Sequence, residues 1–481
     1  MLYFLQYLSR FDIIYANMTV KGSSIPLRRV IEKKRKTAFS SAQIIPVGFL
    51  ALIAVGTVLL LLPVSSAGEG SAPFLTALFT STTSVCVTGL VTVETATYWS
   101  LFGKMVILIL IQLGGLGVVA VTSSLLLLFR KHLSIRDRVL LKDAFSLESI
   151  TGLVPFLQDV FSGVFVVEGL GAVLYSFSFI PRYGWAKGIW YSVFHSVSAF
   201  CNAGLDLIGA ESLAPFSKDY WVLSVTMALI VLGGLGFIVW FDLASFFGRR
   251  RTGKRRKLGE HSRLVLLLTG ILIISGAAAV FLFEHNNARS IGEMPLGDQL
   301  FQSVFQSITF RTAGFSVIPQ QNLSDPSVLL GCLLMFIGGS PMGTAGGVKT
   351  VTVFILIANA ISYVRNKDQA SAFHRTIPSS LIRKAVVVIF ISLTVTVIMS
   401  CALTAVEHLP LSDAVYEIFS ATATVGLSRD VTSHLSAAGQ WIVIASMYLG
   451  RIGPISMALF FSMNDTDQGT FRYADGHFYV G

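Results

Sequence analysis

Four times along its 481 residues the chain sets down the same cassette: a long apolar run, a short semi-polar run ending in glycine, and a second long apolar run. The long runs cover 43–64, 98–129, 152–180, 219–248, 264–284, 326–362, 384–406 and 438–463. The short ones cover 73–84, 186–199, 298–309 and 413–423. A membrane-crossing helix needs about 20 apolar residues, whereas 10–14 point to a re-entrant or interfacial piece. The terminal glycines, Gly89, Gly204, Gly314 and Gly426, lie 115, 110 and 112 residues apart. Each follows a Phe (Phe79, Phe194, Phe305, Phe419) and small hydroxyl residues. A second glycine cluster begins 25, 29, 24 and 24 residues later, at Gly114, Gly233, Gly338 and Gly450. Two registered landmarks in four copies mark an internal repeat. The expected fold class is all-α and integral to the membrane. It has four tandem span–re-entrant helix–span repeats, eight transmembrane helices in all, around a pseudo-fourfold central pore. The expected units are a basic N-terminal segment (1–41), repeats at 42–130, 131–248, 249–363 and 364–464, and a tail at 465–481.

Composition agrees. Hydrophobic residues make up 53% of the chain and charged residues 13%, against about 25% charged in soluble domains. This argues against a soluble enzyme, a disordered chain or a disulfide scaffold. Four basic stretches, up to Ser41 and at 130–142, 249–263 and 365–384, hold 26 of the 36 Lys and Arg. About five basic residues remain for the opposite side: Arg182, Lys187, Lys218, Arg289 and Arg429. The net charge of +10 therefore reads as a topology signal that puts both termini in the cytoplasm, with anionic lipid or a regulatory partner as a secondary use and no nucleic-acid role. Residues 1–17 read as an appendage before Met18. Cys86, Cys201, Cys332 and Cys401 have no metal spacing and read as reduced.

With that orientation all four short runs enter from outside, and their C-terminal ends carry partial negative charge toward the axis. Glycine accepts φ > 0, so consecutive carbonyls can turn inward. A ring of carbonyls replaces the hydration shell of a cation such as K⁺. No side chain in these segments is anionic, which favours a monovalent ion.

The segments CVTGL, CNAGL, RTAGF and TVGLS, the stretch IGGSPMGTAGGVKT, the sequence YLGRIGP and the ending RYADGHFYVG resemble the Trk/Ktr/HKT superfamily of potassium transporters, and within it the KtrB-type membrane subunit. The resemblance runs from about residue 18 to the end. It implies K⁺ uptake across a bacterial cell membrane by a homodimer with one pore per chain. It also implies gating by a cytoplasmic ring of nucleotide-binding, KtrA-like RCK subunits. The chain has no nucleotide motif of its own, so a nucleotide would bind the partner and no cofactor would bind here. Na⁺ dependence is left open. The filter positions carried over are Val87, Thr88 and Gly89; Asn202, Ala203 and Gly204; Thr312, Ala313 and Gly314; Thr424, Val425 and Gly426. In the superfamily a Ser at the first glycine accompanies Na⁺ permeability, so Gly89 favours K⁺.

The sixth run is interrupted by Gly338, Gly339, Ser340, Pro341, Met342, Gly343, Thr344, Ala345, Gly346 and Gly347. Five glycines and a proline in ten residues do not hold an ordinary helix, so an intramembrane flap is expected there. Arg451 falls where the other repeats have Gly115, Gly234 and Gly339, and an intramembrane charge is a functional candidate. It is expected to anchor the flap and set a barrier to cations. Arg311, beside the third segment, is expected to point away from the pore as scaffold. Glu168, Glu284 and Glu407 are expected as interfacial caps, and His195 as a packed histidine. Two other classes compete. A coupled carrier for an organic solute would explain broken helices but not four segments of one type. An intramembrane enzyme would need catalytic groups at membrane depth that the runs lack.

Overall fold

The apolar runs become helices because, without water, each backbone N–H and C=O must be paired within its own segment. The computed structural model describes residues 41–117, 153–247 and 257–453. Among the described residues, fourteen helices of eleven or more residues carry the architecture. They are α1 (Ser41–Leu60), α2 (Phe74–Cys86), α3 (Leu101–Leu116), α4 (Leu153–Tyr183), α5 (Trp185–Cys201), α6 (Tyr220–Leu235), α7 (Phe237–Phe247), α8 (Glu260–Glu284), α9 (Leu296–Phe310), α10 (Asp325–Phe336), α11 (Thr350–Val364), α12 (Ser379–Glu407), α13 (Leu411–Thr422) and α14 (Ala437–Ile452). A two-residue antiparallel pair, β1 (Ser371–Ala372) with β2 (Arg375–Thr376), joins α11 to α12.

Helix starts are written locally. Pro73, Pro295 and Pro410 precede the short helices α2, α9 and α13. Ser100, Asp219 and Ser436 cap α3, α6 and α14, each accepting a backbone N–H with its side-chain oxygen, a contribution of about 1 kcal/mol per cap. Glu284 and Glu407 do act as caps. Glu284 ends α8 and accepts from Ser324 N and Oγ before α10, and Glu407 ends α12 and accepts from Ser436 N and Oγ before α14.

Three expectations are corrected. The runs 98–129, 219–248 and 438–463 are not continuous helices. α3, α6 and α14 stop at Leu116, Leu235 and Ile452, each before a glycine (Gly117, Gly236, Gly453) with φ of 87°, 90° and 81°. Their ψ of 133°, 141° and 150° is extended, a combination open to glycine that no helix continues. α7 then leaves α6 at 102°. By length and composition, three described helices suffice to cross a membrane (Val154–Tyr183, Glu260–Glu284, Ser379–Glu407), or four if the bent α6–α7 pair counts as one.

Each helix that leads to a glycine segment packs against the helices before and after it: α2 against α1 and α3, α5 against α4 and α6, α9 against α8 and α10, α13 against α12 and α14. A serine fixes three of these. Ser81, Ser196 and Ser307 donate to the carbonyls of Ile53, Glu168 and Ile273 (2.8, 2.6 and 3.0 Å). Three residues further on, Gly56, Gly171 and Gly276 leave room for the hydroxyl. The cassettes also touch in a cycle: α3 packs on α5, α6 on α9, α10 on α13 and α14 on α2.

Candidate functional site

α2, α5 and α13 end in the same way. The residue two before the glycine turns left-handed, and the next N–H reaches back five residues: Thr88 N to Thr83 O, Ala203 N to Ser198 O, Val425 N to Ser420 O (2.8–2.9 Å). In the third segment Arg311 sits at the helix end and Ala313 N bonds Thr309 O at 3.1 Å. Val87, Asn202, Thr312 and Thr424 have φ of 54°, 59°, 65° and 51°. Three of these four are β-branched, for which a positive φ is a genuine outlier. Such strain is of order 1–3 kcal/mol per residue and persists only where the surroundings impose it. Here hydroxyls of the short helices impose it. Thr83 Oγ1 and Ser420 Oγ accept from Gly89 N and Gly426 N (2.9 and 3.0 Å). Ser198 Oγ and Thr309 Oγ1 donate to Leu205 O and Phe315 O (2.6 and 2.5 Å).

The four glycines close a ring. A Cβ on Gly89 would lie 2.5 Å from Ala203 O and 3.2 Å from Gly204 Cα. One on Gly204 would lie 2.7 Å from Gly314 Cα and 2.8 Å from Ala313 O. Gly314 faces Val425 O and Gly426, and Gly426 faces Thr88 O and Gly89. One equivalent carbonyl from each segment (Thr88, Ala203, Ala313, Val425) therefore lies against the next glycine. All four segments are buried, with Thr88, Ala203, Ala313 and Val425 each at 0% exposure.

Beneath this ring the chain between α10 and α11 runs without helix from Ile337 to Lys349. It is stitched to the α6–α7 bend by Ser340 N to Gly234 O (2.9 Å), Thr344 N to Gly233 O (3.0 Å) and Phe237 N to Met342 O (3.1 Å). Thr344 Oγ1 donates to Phe200 O at 2.9 Å, and Gly346 N to Thr312 Oγ1 at 3.2 Å. Arg451 donates to Thr344 O (3.0 Å) and to Gly114 O and Gly115 O at the end of α3 (2.5 and 3.3 Å).

The family described as TrkH, cation transport protein, matches residues 14–471. The chain belongs to the TrkH family of cation transport proteins. Potassium/sodium uptake protein NtpJ of Enterococcus hirae is 37% identical over 428 residues, covering 88% of this chain and 93% of that protein. Ktr system potassium uptake protein B of Bacillus subtilis is 35% identical, covering 92% and 97%. The crystal structure of the potassium transporter TrkH from Vibrio parahaemolyticus matches with a TM-score of 0.72 at 14% identity, over 89% of this chain and 86% of that one, so it shares the fold. This TrkH-family chain is a membrane protein of a transporter family, not of an enzyme family.

The remaining candidates of the family member sort as follows. Arg311 does meet a carbonyl, donating to Gly338 O at 3.3 Å, so it holds the start of the flap segment. It also lines a cavity of about 20 Å³ with Thr269, Gly234 and Gly339, room for about one water. His195 is packed, 0% exposed, with Nδ1 2.7 Å from Tyr191 O and aromatic rings of Tyr175 and Phe179 around it. Glu168 is a correction. It lies mid-way along α4, buried rather than capping an end, and accepts from Gln112 Nε2 at 3.1 Å. Cys86, Cys201 and Cys332 are buried and Cys401 exposed, and none is in a disulfide. Among the described residues no His, Cys, Asp or Glu cluster suits a metal. Sequence reasoning did not single out Lys349, which closes the flap segment by donating to Ala345 O at 2.6 Å. Its signal was a lysine inside an apolar run two residues after the last of the glycines. The basic stretch 130–142 and residues 249–256 of the stretch 249–263 lie outside the described residues.

Proposed function

We propose that the chain is the K⁺-translocating subunit of a Ktr-type uptake system. Eight spans in four repeats would surround a pseudo-fourfold pore. Val87–Gly89, Asn202–Gly204, Thr312–Gly314 and Thr424–Val425–Gly426 would form its filter. The observation that carries this reading is the closed circuit of four glycines, each against a carbonyl of the next segment. Uncharged carbonyls can replace the water of K⁺, and the C-terminal ends of the four short helices, directed at the ring, add partial negative charge. Gly338, Gly339, Ser340, Pro341, Gly343, Thr344, Gly346 and Gly347 form the gate, with Arg451 as its latch. A guanidinium near the ion path opposes a cation by a few kcal/mol at about 4 Å and an effective dielectric of about 20. Release of Thr344 from Arg451 would remove both obstruction and barrier.

Relatives carrying the name Ktr system potassium uptake protein B support a multi-component assembly. In it a homodimer of this chain, in the bacterial plasma membrane with both termini cytoplasmic, is gated by a nucleotide-binding RCK ring. The chain itself carries no cofactor. A relative named for potassium and sodium together makes Na⁺ dependence the second reading.

The test is K⁺ uptake in cells lacking their own K⁺ transporters, grown at low external K⁺, with an RCK subunit supplied. Rescue by the parent chain is expected. Gly89→Ser should lower the preference for K⁺ over Na⁺, because the added group needs φ near 99° and crowds Ala203 O. Rescue with unchanged preference in Gly89→Ser would remove the filter assignment; no rescue at all would remove the transport reading. Uptake with and without Na⁺ decides the second reading.

A further inference from the structure

Just below the glycine ring, three polar side chains converge on the flap segment, one from each of segments two, three and four. Thr312 Oγ1 is already used: it accepts Gly346 N–H. The other two are not. Asn202 and Thr424 are 1% exposed, and among the described residues neither Asn202 Oδ1, Asn202 Nδ2 nor Thr424 Oγ1 has a hydrogen-bond partner. Both are at the flap. Thr424 Oγ1 abuts Gly346. Asn202 Nδ2 and the Ala345 methyl flank one face of Gly234, each 3.7 Å from where a Cβ would stand. Leaving a buried polar group unmade costs roughly 1–3 kcal/mol, so two such side chains beside the consecutive residues Ala345 and Gly346 call for a ligand. The space is bounded above by carbonyls and the C-terminal ends of the short helices, which suit positive charge. Hydroxyl and amide oxygens with no carboxylate suit a monovalent ion more than a divalent one.

We propose that Asn202 Oδ1, Thr312 Oγ1 and Thr424 Oγ1 form an inner monovalent-cation site that the flap and the ion occupy in turn. It rests on the filter reading above and adds a regulation to it. In the described arrangement Gly346 N–H takes the oxygen of Thr312, and residues 344–346 fill the space. An ion there would meet the positive end of the Gly346 N–H and need the space those residues hold. Flap seating and inner-site occupancy then exclude each other, and an ion bound only by the open form shifts the population toward it. K⁺ reaching the site from the filter would hold the flap away.

The test uses the full chain in proteoliposomes, with Cys401→Ser and Met342→Cys to report flap exposure to a maleimide from the cytoplasmic face. Cys86, Cys201 and Cys332 are buried, and Met342 already sits at φ 63° without being glycine. K⁺ should raise the labelling rate about threefold or more over N-methylglucamine, as expected for a ligand of the open form alone. Thr424→Val should abolish that K⁺ response while keeping the slow rate. The replacement is isosteric, and Val87 holds the equivalent place in segment one at φ 54°. Asn202→Leu should act likewise. Thr312→Val should instead label fast in either salt, since Gly346 N–H loses its acceptor. The site is refuted by equal labelling in both salts, or by a full K⁺ response in Thr424→Val. If Gly89→Ser alters K⁺/Na⁺ preference while K⁺ never changes labelling, the inner site alone fails. If Gly89→Ser alters nothing, the filter reading fails.

Discussion

The two glycine landmarks of each repeat had opposite fates. At the first, four segments keep one conformation: left-handed two residues before the glycine, left-handed at the glycine, and one carbonyl against the next segment. At the second, the symmetry is broken. Gly114, Gly233 and Gly450 let their helices lie against the ends of the short helices, at Val85 O, Phe200 O and Thr422 O. Gly338, the fourth equivalent, lies against Gly346 of its own flap segment instead. Arg451 stands where the other repeats have glycine. On the proposed function, a ring that touches one ion from all sides has reason to stay fourfold, and a single moving part that closes one opening does not.

The comparison is broken most severely by adding a Cβ to the ring. Gly204→Ala would place a methyl 2.7 Å from Gly314 Cα, with backbone atoms on both sides and no flexible neighbour to yield. K⁺ uptake is expected to fall about 100-fold, equivalent to ~2.7 kcal/mol, in the cell-rescue assay; uptake within twofold of the parent would show that the ring is not the conduction path. At the second landmark the sign reverses. Arg451→Ala removes hydrogen bonds to Thr344, Gly114 and Gly115 and should raise K⁺ flux about tenfold, or ~1.4 kcal/mol, in proteoliposomes without a partner. K⁺/Na⁺ preference should stay. A folded variant with equal or lower flux would make the flap a fixed kink.

Smaller effects separate the helix stops from one another. Gly236→Ala forces alanine to φ 90° and drives its methyl into Pro341 O of the flap. Gly117→Ala meets nothing within 4 Å among the described residues and bears only the backbone strain of a positive φ with extended ψ, of order 1–3 kcal/mol. Thermal midpoints in detergent should fall further for Gly236→Ala than for Gly117→Ala; equal shifts would mean the flap does not lean on the bend. The smallest effect belongs to Glu168. Glu168→Gln keeps a partner for Gln112, whereas Glu168→Ala leaves a half-buried amide without it, at roughly 1 kcal/mol. A melting point lowered equally by both would assign the loss to the carboxylate's charge rather than the hydrogen bond.

Periodicity and spacing determined a good deal without coordinates. Apolar run length predicted where helices lie, because that depends on local backbone pairing and hydropathy alone. The 115-, 110- and 112-residue glycine spacing predicted that four segments are equivalent, because equivalence is a property of the repeat. The break at 338–347 was legible from glycine and proline content. Arg451 was legible as a charge in an apolar run.

Other features were decided by what each residue meets. Gly117, Gly236 and Gly453 stop helices through left-handed φ, yet in sequence they look like the packing glycines Gly114, Gly233 and Gly450 beside them. Glu168 reads as an end cap until α4 is seen to extend from Leu153 to Tyr183 and to place it against Gln112. Lys349 acquires its carbonyl only once the flap folds back. Positive φ at Val87, Thr312 and Thr424 runs against the preference of β-branched residues, so no local rule forecasts it. Hydroxyls of the short helices and the neighbouring segments impose it. Local chemistry wrote the elements and their count of four; contact between distant segments chose which glycine bends, which one packs and which carbonyl lies against the next segment's glycine.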